Sequence, residues 1–168
     1  VVVQADYARK IFPHTTNSLR IITMQDPEND HRPFIAVASH RFGVLETIPV
    51  DNFTRGGLRA KIDLDTGKMT SAKKHPARTK QEFTRHPETD AQIEGVEVPH
   101  WQEVKEGLLQ MVAALPFVKF VGWDVVVTEE GFCILEGNNP PSLGIQGWYP
   151  FFQDPRIRRF FEYYKVIK

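Results

Sequence analysis

The sequence has few of the features that would set it apart from ordinary globular proteins. Its 168 residues include one cysteine, Cys133, which excludes an internal disulfide and favours a reducing, cytoplasmic setting. No apolar run approaches the roughly 20 residues that a membrane-spanning helix requires. The 21 basic and 21 acidic residues balance, so the composition favours neither a nucleic-acid partner nor a membrane surface.

Several common catalytic motifs are also absent. The sequence has no GxxxxGK phosphate loop, no GxGxxG dinucleotide motif and no serine in a nucleophile elbow. No cluster of histidine and cysteine competes for a zinc site. His75, His86 and His100 stand in polar, proline-rich context and predict no acid–base triad, and we expect His40 at the surface.

What is present is a series of short strands followed by two helices. Apolar, β-branched runs predict strands at Leu19 to Met24, Phe34 to Val37 and Ala60 to Asp65. A one-sided apolar stripe predicts a helix from Trp101 to Leu115, and Asp154 with Pro155 predicts the start of another. The basic segment 72–98 predicts a loop or lid. We therefore expect an α+β fold, with a mainly antiparallel sheet and flanking helices.

The most informative segment runs from Phe117 to Gln146 and predicts a β-hairpin. Glu129-Glu130-Gly131 suits a three-residue turn, with Gly131 in the left-handed conformation. In that register Thr128 pairs with Phe132, and the pairing continues back along both strands.

The same register places two carboxylates opposite each other, on Asp124 and Glu136, with Asn138 pointing the same way. Opposed carboxylates repel, and a hard divalent cation such as Mg²⁺ removes that penalty. An acidic pair on a solvated face is the ordinary alternative. Here the neighbours are Phe120, Gly122, Val126 and Ile134, so we interpret the three polar residues as metal ligands.

A second set of polar residues suits phosphate. Arg20 stands inside an apolar strand, where a charge needs a reason, and Arg41 follows another strand. The next segment contains Asn52, Arg55, Gly56 and Gly57. A glycine pair lets backbone N–H groups approach phosphate, and arginine binds phosphoryl oxygens with two hydrogen bonds. An ordinary hairpin turn is the alternative for the glycine pair taken alone.

In this order the motifs resemble the ATP-grasp superfamily, and most of all the sugar-transfer-associated ATP-grasp proteins, with ribosomal-protein glutamate ligases as relatives. The likeness runs from about Gln4 to Gln146. The motifs that carry it are LRIIT (Leu19–Thr23), AVASHR (Ala36–Arg41), DNFTRGG (Asp51–Gly57), GWDVVVTEEG (Gly122–Gly131) and LEGNNP (Leu135–Pro140).

The resemblance implies a mechanism, in which a carboxylate attacks the γ-phosphate of ATP and an amine captures the acyl phosphate. It implies Mg²⁺ ligands, with Mn²⁺ as a substitute, at Asp124, Glu136 and Asn138. It also implies that Arg20 and Arg41 hold the phosphoryl group. The segment containing Asn52, Arg55, Gly56 and Gly57 would close over that group, and Gln4 would lie near adenine.

The resemblance further implies that residues 1–168 are a C-terminal metal- and phosphate-binding domain whose nucleotide-binding N-terminal lobe lies outside this chain. The apolar start, Val1 to Gln4, favours a fragment, and removal of disordered residues is the alternative. We expect such a fragment to be inactive alone and to expose apolar surface that promotes homo-oligomers. Val50 and Asp51 stand where the ligases have an arginine that recognises the substrate carboxylate.

The leading functional hypothesis is an ATP-dependent carboxylate–amine ligase, acting on small-molecule or peptide substrates, in the assembly of cell-surface polysaccharide or peptide conjugates. One alternative is an ATP-grasp kinase that phosphorylates a hydroxyl. Another is a nucleotide-binding module without turnover. A small α+β domain whose acids and arginines form only structural salt bridges is the remaining alternative.

Overall fold

The computed structural model of the protein describes residues 2–142 and 151–168; Val1 and residues 143–150, with the end of the predicted hairpin segment, lie outside them. The described strands are β1 (Leu19–Asp26), β2 (Arg32–Phe42), β3 (Leu58–Ile62), β4 (Met69–Lys73), β5 (Glu82–Phe83), β6 (Phe120–Thr128) and β7 (Gly131–Asn138). They form one antiparallel sheet in the order β5-β4-β3-β2-β1-β6-β7. The described helices are α1 (Asp6–Ile11), α2 (Trp101–Ala113) and α3 (Pro155–Tyr163). The prediction of an α+β fold with a mainly antiparallel sheet is confirmed.

The two faces of the sheet differ because successive side chains of a strand point to opposite sides. On one face α2 packs over the larger core, which includes Leu19, Ile21, Phe42, Leu58, Ala60, Ile62, Trp101, Val104 and Leu108. On the other face α3 covers a smaller core, which includes Ile22, Met24, Phe34, Ile157, Phe160 and Phe161. The far end of this second face carries charged residues instead, and it positions the site.

Helix α2 begins at Trp101, as predicted, and ends at Ala113 instead of Leu115. Its buried positions are Trp101, Val104, Leu108 and Val112, which follow the three- and four-residue spacing of a helix face. The apolar stripe is therefore confirmed from Trp101 to Val112. The helix ends before the proline at position 116, where the chain turns toward β6.

Helix α3 begins at Pro155, and the side chain of Asp154 caps it by accepting a 2.9 Å hydrogen bond from the backbone N–H of Arg156. Three of its predicted core residues are buried: Ile157, Phe160 and Phe161. Each such side chain contributes about 1.5–3 kcal/mol through burial. Tyr164, predicted on the same face, caps the end of the helix and is 39% exposed.

The β6–β7 hairpin has a different turn from the predicted one. Thr128 pairs with Gly131, so the turn contains two residues, and the predicted pairing of Thr128 with Phe132 is wrong. An extra residue, Leu135, then enters β7 as a bulge, since Val125 pairs with Ile134. The bulge compensates for the shorter turn.

The segment 72–98 contains the end of β4 and the two-residue strand β5, and otherwise runs in turns and irregular backbone. Its second half is fastened to the domain. The buried ring of His86 donates from Nε2 to the carbonyl oxygen of Gly43 at 2.8 Å and stacks on Phe12. Whether the segment acts as a lid remains a prediction.

Candidate functional site

The three predicted metal ligands lie together at the end of the β6–β7 hairpin. Asp124 is the direct pairing partner of Glu136, and Gly122 is the partner of Asn138. The amide Nδ2 of Asn138 donates to Oε1 of Glu136 at 3.1 Å. Asp124 is buried, with 6% of its surface exposed, whereas Glu136 is exposed to solvent. One carboxylate of the pair therefore lies at the edge of the core and the other at the surface.

The two predicted arginines converge on Asp124. Arg20, its direct partner on β1, donates from Nε to Oδ1 at 2.5 Å and from Nη2 to Oδ2 at 3.1 Å. Nη2 of Arg41, on β2, lies 2.9 Å from the same Oδ2. The bidentate contact between Arg20 and Asp124 fixes the planes of the guanidinium and the carboxylate relative to each other. It accounts for the charged residue within the apolar strand β1.

Two residues hold Arg41 from the other side: Ser18, which was not singled out from the sequence, and Asp51, which was noted only as the residue before Asn52, where the ligases have an arginine. Nε of Arg41 donates to Oγ of Ser18 at 3.2 Å and lies 3.5 Å from Oδ2 of Asp51. Ser18 in turn donates from its backbone N–H at 2.7 Å and from Oγ at 2.6 Å to Oδ2 of Asp51. Because the hydroxyl hydrogen points to Asp51, the lone pairs of Oγ face Arg41.

Burial raises the pKa of Asp51 above its ordinary value, and the opposing effects of Arg41 and of the hydrogen bonds from Ser18 are smaller. A carboxylate in this position is therefore costly to keep charged, and its arginine and serine neighbours offset part of that cost. A short polar residue before a strand, such as Ser18, resembles a loop residue in a sequence, which is why its contact with Asp51 was not predicted.

These residues border a cleft of about 320 Å³. Its charged lining comes from Arg41, Asp51, Asp124 and Glu136, and its apolar lining from Pro49, Val50 and Leu135. A surface with converging charges and apolar walls suits a ligand that has both an ionic group and a hydrocarbon portion.

The predicted phosphate turn follows Asp51 directly. Oδ1 of Asn52 accepts hydrogen bonds from the backbone N–H groups of Thr54, at 3.0 Å, and Arg55, at 3.2 Å. Gly56 has a φ of 119°, and a Cβ on Gly57 would lie 2.9 Å from the carbonyl oxygen of Asn52. Both glycines are thus required by the backbone. Arg55 is exposed, and among the described residues the ion pairs of Asp124 are those with Arg20 and Arg41.

Gln4, predicted near adenine, is buried and bonded inward. Its Nε2 donates to the carbonyl oxygen of Thr15 at 2.7 Å, and its Oε1 accepts from the backbone N–H of Asn17 at 2.8 Å. These bonds join the segment before α1 to the segment before β1. A contact with adenine remains a prediction.

His40 is fully buried, and the expectation that it lies at the surface is wrong. Strand alternation puts it on the α2 face, next to the ring of Phe42. Its Nδ1 faces the carbonyl oxygen of Arg41 at 3.0 Å and so carries the proton, and its Nε2 accepts from the hydroxyl of Tyr7 at 2.8 Å. Burial lowers the pKa of His40 to about 3.

Asp124, Glu136 and Asn138 carry the oxygen atoms that Mg²⁺ takes as ligands, and their role as its ligands remains a prediction. Within residues 2–142 and 151–168, no three His, Cys, Asp or Glu side chains are grouped to hold an ion. Mg²⁺ needs no such group, because it is commonly bound by one or two carboxylates together with substrate phosphates and water. Asp124 has three nitrogen donors on its oxygens, and a carboxylate has about four acceptor positions, so one remains.

Residues 1–148 match the family described as sugar-transfer associated ATP-grasp. The chain belongs to this family. ATP-grasp proteins as a class are enzymes that use ATP and Mg²⁺. No curated protein matches the sequence. None of the described helices has both the length and the apolar character required to cross a membrane.

Proposed function

We propose that the chain provides the metal- and phosphate-binding lobe of an ATP- and Mg²⁺-dependent carboxylate–amine ligase that forms an acyl phosphate. The observation that supports the proposal is the convergence of Arg20 and Arg41 on Asp124, directly across from Glu136. Cations for phosphoryl oxygens and oxygen ligands for a metal are the parts that phosphoryl transfer requires.

Each residue has a role in this proposal. Asp124, Glu136 and Asn138 hold the metal, with Mn²⁺ as a functional substitute. When bound, Mg²⁺ supplies neutralisation of charge on the phosphoryl oxygens. Arg20 and Arg41 bind the same oxygens through their N–H groups.

The turn after Asp51 closes the other side of the proposed site. Gly56 and Gly57 let the backbone approach the phosphoryl group closely, and Arg55 adds a positive charge at the rim. Asn52 keeps the turn in shape through its hydrogen bonds to Thr54 and Arg55. Gln4 would lie on the adenine side.

The proposed substrates are a small-molecule or peptide carboxylate and an amine. The ATP-binding site would be completed by an N-terminal lobe of the same protein. We place the reaction in the cytoplasm, in the assembly of cell-surface polysaccharide or peptide conjugates. The family description, sugar-transfer associated ATP-grasp, supports a link to sugar transfer. The apolar residues of the cleft, Pro49, Val50 and Leu135, would contact the hydrocarbon part of a substrate.

The experiment that tests the proposal traps the acyl phosphate. The full-length protein is incubated with ATP, Mg²⁺, a pool of carboxylates and hydroxylamine, and ADP and hydroxamate are measured together. Glu136→Gln should abolish both products. Glu130→Gln, the same change at an exposed turn position of the same hairpin, should leave them unchanged.

Hydroxamate that appears with ADP in the wild type and is lost in Glu136→Gln would support the ligase. ADP without hydroxamate would contradict it and favour a kinase that phosphorylates a hydroxyl. Absence of both products across the pool would contradict turnover and favour a nucleotide-binding module.

A further inference from the structure

Three cations stand in one row across one face of the sheet. Arg41 on β2 is the direct partner of Arg59 on β3, and Arg59 is the direct partner of Lys73 on β4. Directly opposed residues in antiparallel strands share a face, with Cβ atoms about 4.5–5.5 Å apart. The row therefore leads from the Asp124 site toward the β5 edge of the sheet.

Like charges placed directly opposite destabilise a sheet. Arg41 is compensated by Asp124, and Lys73 lies 2.8 Å from Glu82 on the edge strand. The guanidinium of Arg59, between them, stacks on the ring of Phe53 with 4.3 Å to its centre. Arg59 is 9% exposed and the side chain of Arg41 is 13% exposed, whereas that of Lys73 is 38% exposed. The row therefore reaches solvent at its Lys73 end.

A hollow beside the row has the polar groups that an anion needs. Lys61 lies two residues after Arg59, so it points to the same face, and it is exposed. The hollow has a volume of about 230 Å³ and is lined by Lys61, Thr70, Ser71, Lys73 and Glu82. The ammonium groups and the hydroxyl of Ser71 suit an oxyanion as donors, whereas the hydroxyl of Thr70 donates to the carbonyl oxygen of Ser71 at 3.1 Å.

Glu82 shows the kind of group that fits there. Its carboxylate receives a 2.6 Å hydrogen bond from Oγ of Ser71 and an ion pair from Lys73. Both side chains of that ion pair are well exposed, 38% for Lys73 and 54% for Glu82. Exposed pairs of this type are weak, so an external anion could replace Glu82 at small cost.

We propose that the hollow, defined by Lys61, Thr70, Ser71 and Lys73, binds an oxyanion, phosphate or carboxylate, that the substrate carries apart from its reacting carboxylate. That the anion belongs to the substrate rests on the proposed ligase function. The substrate would then be a polyanion, with the row of cations between its reacting end and its second anionic group.

The test is a titration of this chain, labelled with ¹⁵N, with inorganic phosphate and separately with glutarate at constant ionic strength. The chemical shifts of the backbone amides in β3 and β4 should change as the anion is added and should reach saturation. The variant Lys61→Gln/Lys73→Gln should bind at least tenfold more weakly. The control Lys68→Gln/Lys80→Gln, which removes the same charge from exposed positions outside the hollow, should bind normally.

Glu82→Gln should bind severalfold more tightly, because it removes the competing carboxylate. The probe that binds more tightly identifies the anion as phosphate or carboxylate. No saturable shift in β3 and β4 with either probe, or equal weakening in the control variant, would overturn the proposal. Neither result depends on turnover, so failure of the hydroxamate assay alone would remove the ligase and leave the anion site standing.

Discussion

Arg20 and Asp124 are direct partners on β1 and β6, and their side chains meet at 2.5 Å although they are 104 residues apart in the chain. Arg41 adds a second guanidinium at 2.9 Å. All three side chains are at most 14% exposed. The pairing makes the predicted metal ligand Asp124 part of the structural core as well.

The variants Asp124→Asn and Glu136→Gln should therefore differ in stability. Removing one partner of a buried ion pair leaves the other charge uncompensated, so Asp124→Asn should lose about 3 kcal/mol or more of unfolding free energy. Glu136 is exposed, and Glu136→Gln should stay within about 0.5 kcal/mol of wild type. Urea denaturation in the presence of a chelator measures both. Equal stability of the two variants would contradict the role of Asp124 in the core.

Asn52 should act through its side-chain oxygen. That oxygen accepts hydrogen bonds from the backbone of Thr54 and Arg55, so Asn52→Ala should cost about 1 kcal/mol, and Asn52→Asp should keep most of the stability. Thermal denaturation of the two variants gives the comparison. Similar losses in both would show that the amide group, rather than the oxygen, matters at this position.

His40 should make the protein sensitive to acid. Since the folded pKa is about 3 and the ordinary value is 6.5, the unfolded chain takes up a proton first as the pH falls. The contribution of neutral His40 to the free energy of unfolding is complete above pH 6.5 and is lost as the pH falls toward 3. At pH 5 this loss is about 2 kcal/mol. Urea denaturation at pH 7 and pH 5 should show a smaller difference for His40→Asn than for wild type.

The control for this pH effect is His75→Asn, a change outside the α2 core, which should lose as much stability between pH 7 and pH 5 as wild type does. If His40→Asn and wild type fall in parallel, another group determines the acid sensitivity.

Ser18 should matter for turnover through Arg41. Its hydroxyl accepts from Arg41 at 3.2 Å and donates to Asp51 at 2.6 Å, so Ser18→Ala removes the contact that orients the guanidinium. Small misplacement of a group that binds the reacting atoms can cost about 100-fold in rate. The rate of hydroxamate formation in the full-length protein should fall for Ser18→Ala and not for Thr66→Ala, which removes an exposed hydroxyl from the turn before β4. An unchanged rate would remove Ser18 from the site.

Much of the fold could be predicted because local patterns carry it. The alternation of β1 and β2, the stripe of α2 and the cap of α3 are all visible within a few residues. The opposition of Asp124 and Glu136 was also predicted, but through a wrong turn. The turn is one residue shorter and the bulge at Leu135 restores the register, and no local pattern indicates such a bulge.

The parts that could not be predicted depend on contacts between distant strands. The sequence marks Arg20 as a charge that needs a reason, but its partner becomes clear only when β1 pairs with β6. The same holds for Asp51 and Ser18, which are 33 residues apart. His40 was misplaced because β2 extends to Phe42, five residues beyond the predicted strand, and the alternation continues with it.

The most direct test of the account is Mn²⁺ binding by this chain, measured by electron paramagnetic resonance, because the central claim is that Asp124 and Glu136 hold a metal. The account predicts one saturable site, weakened about tenfold or more by Glu136→Gln, since changes next to a metal ligand already cost that much. Asp65→Asn, at an exposed turn, should have no effect. Absence of Mn²⁺ binding at millimolar concentration, or equal weakening by Asp65→Asn, would contradict the claim.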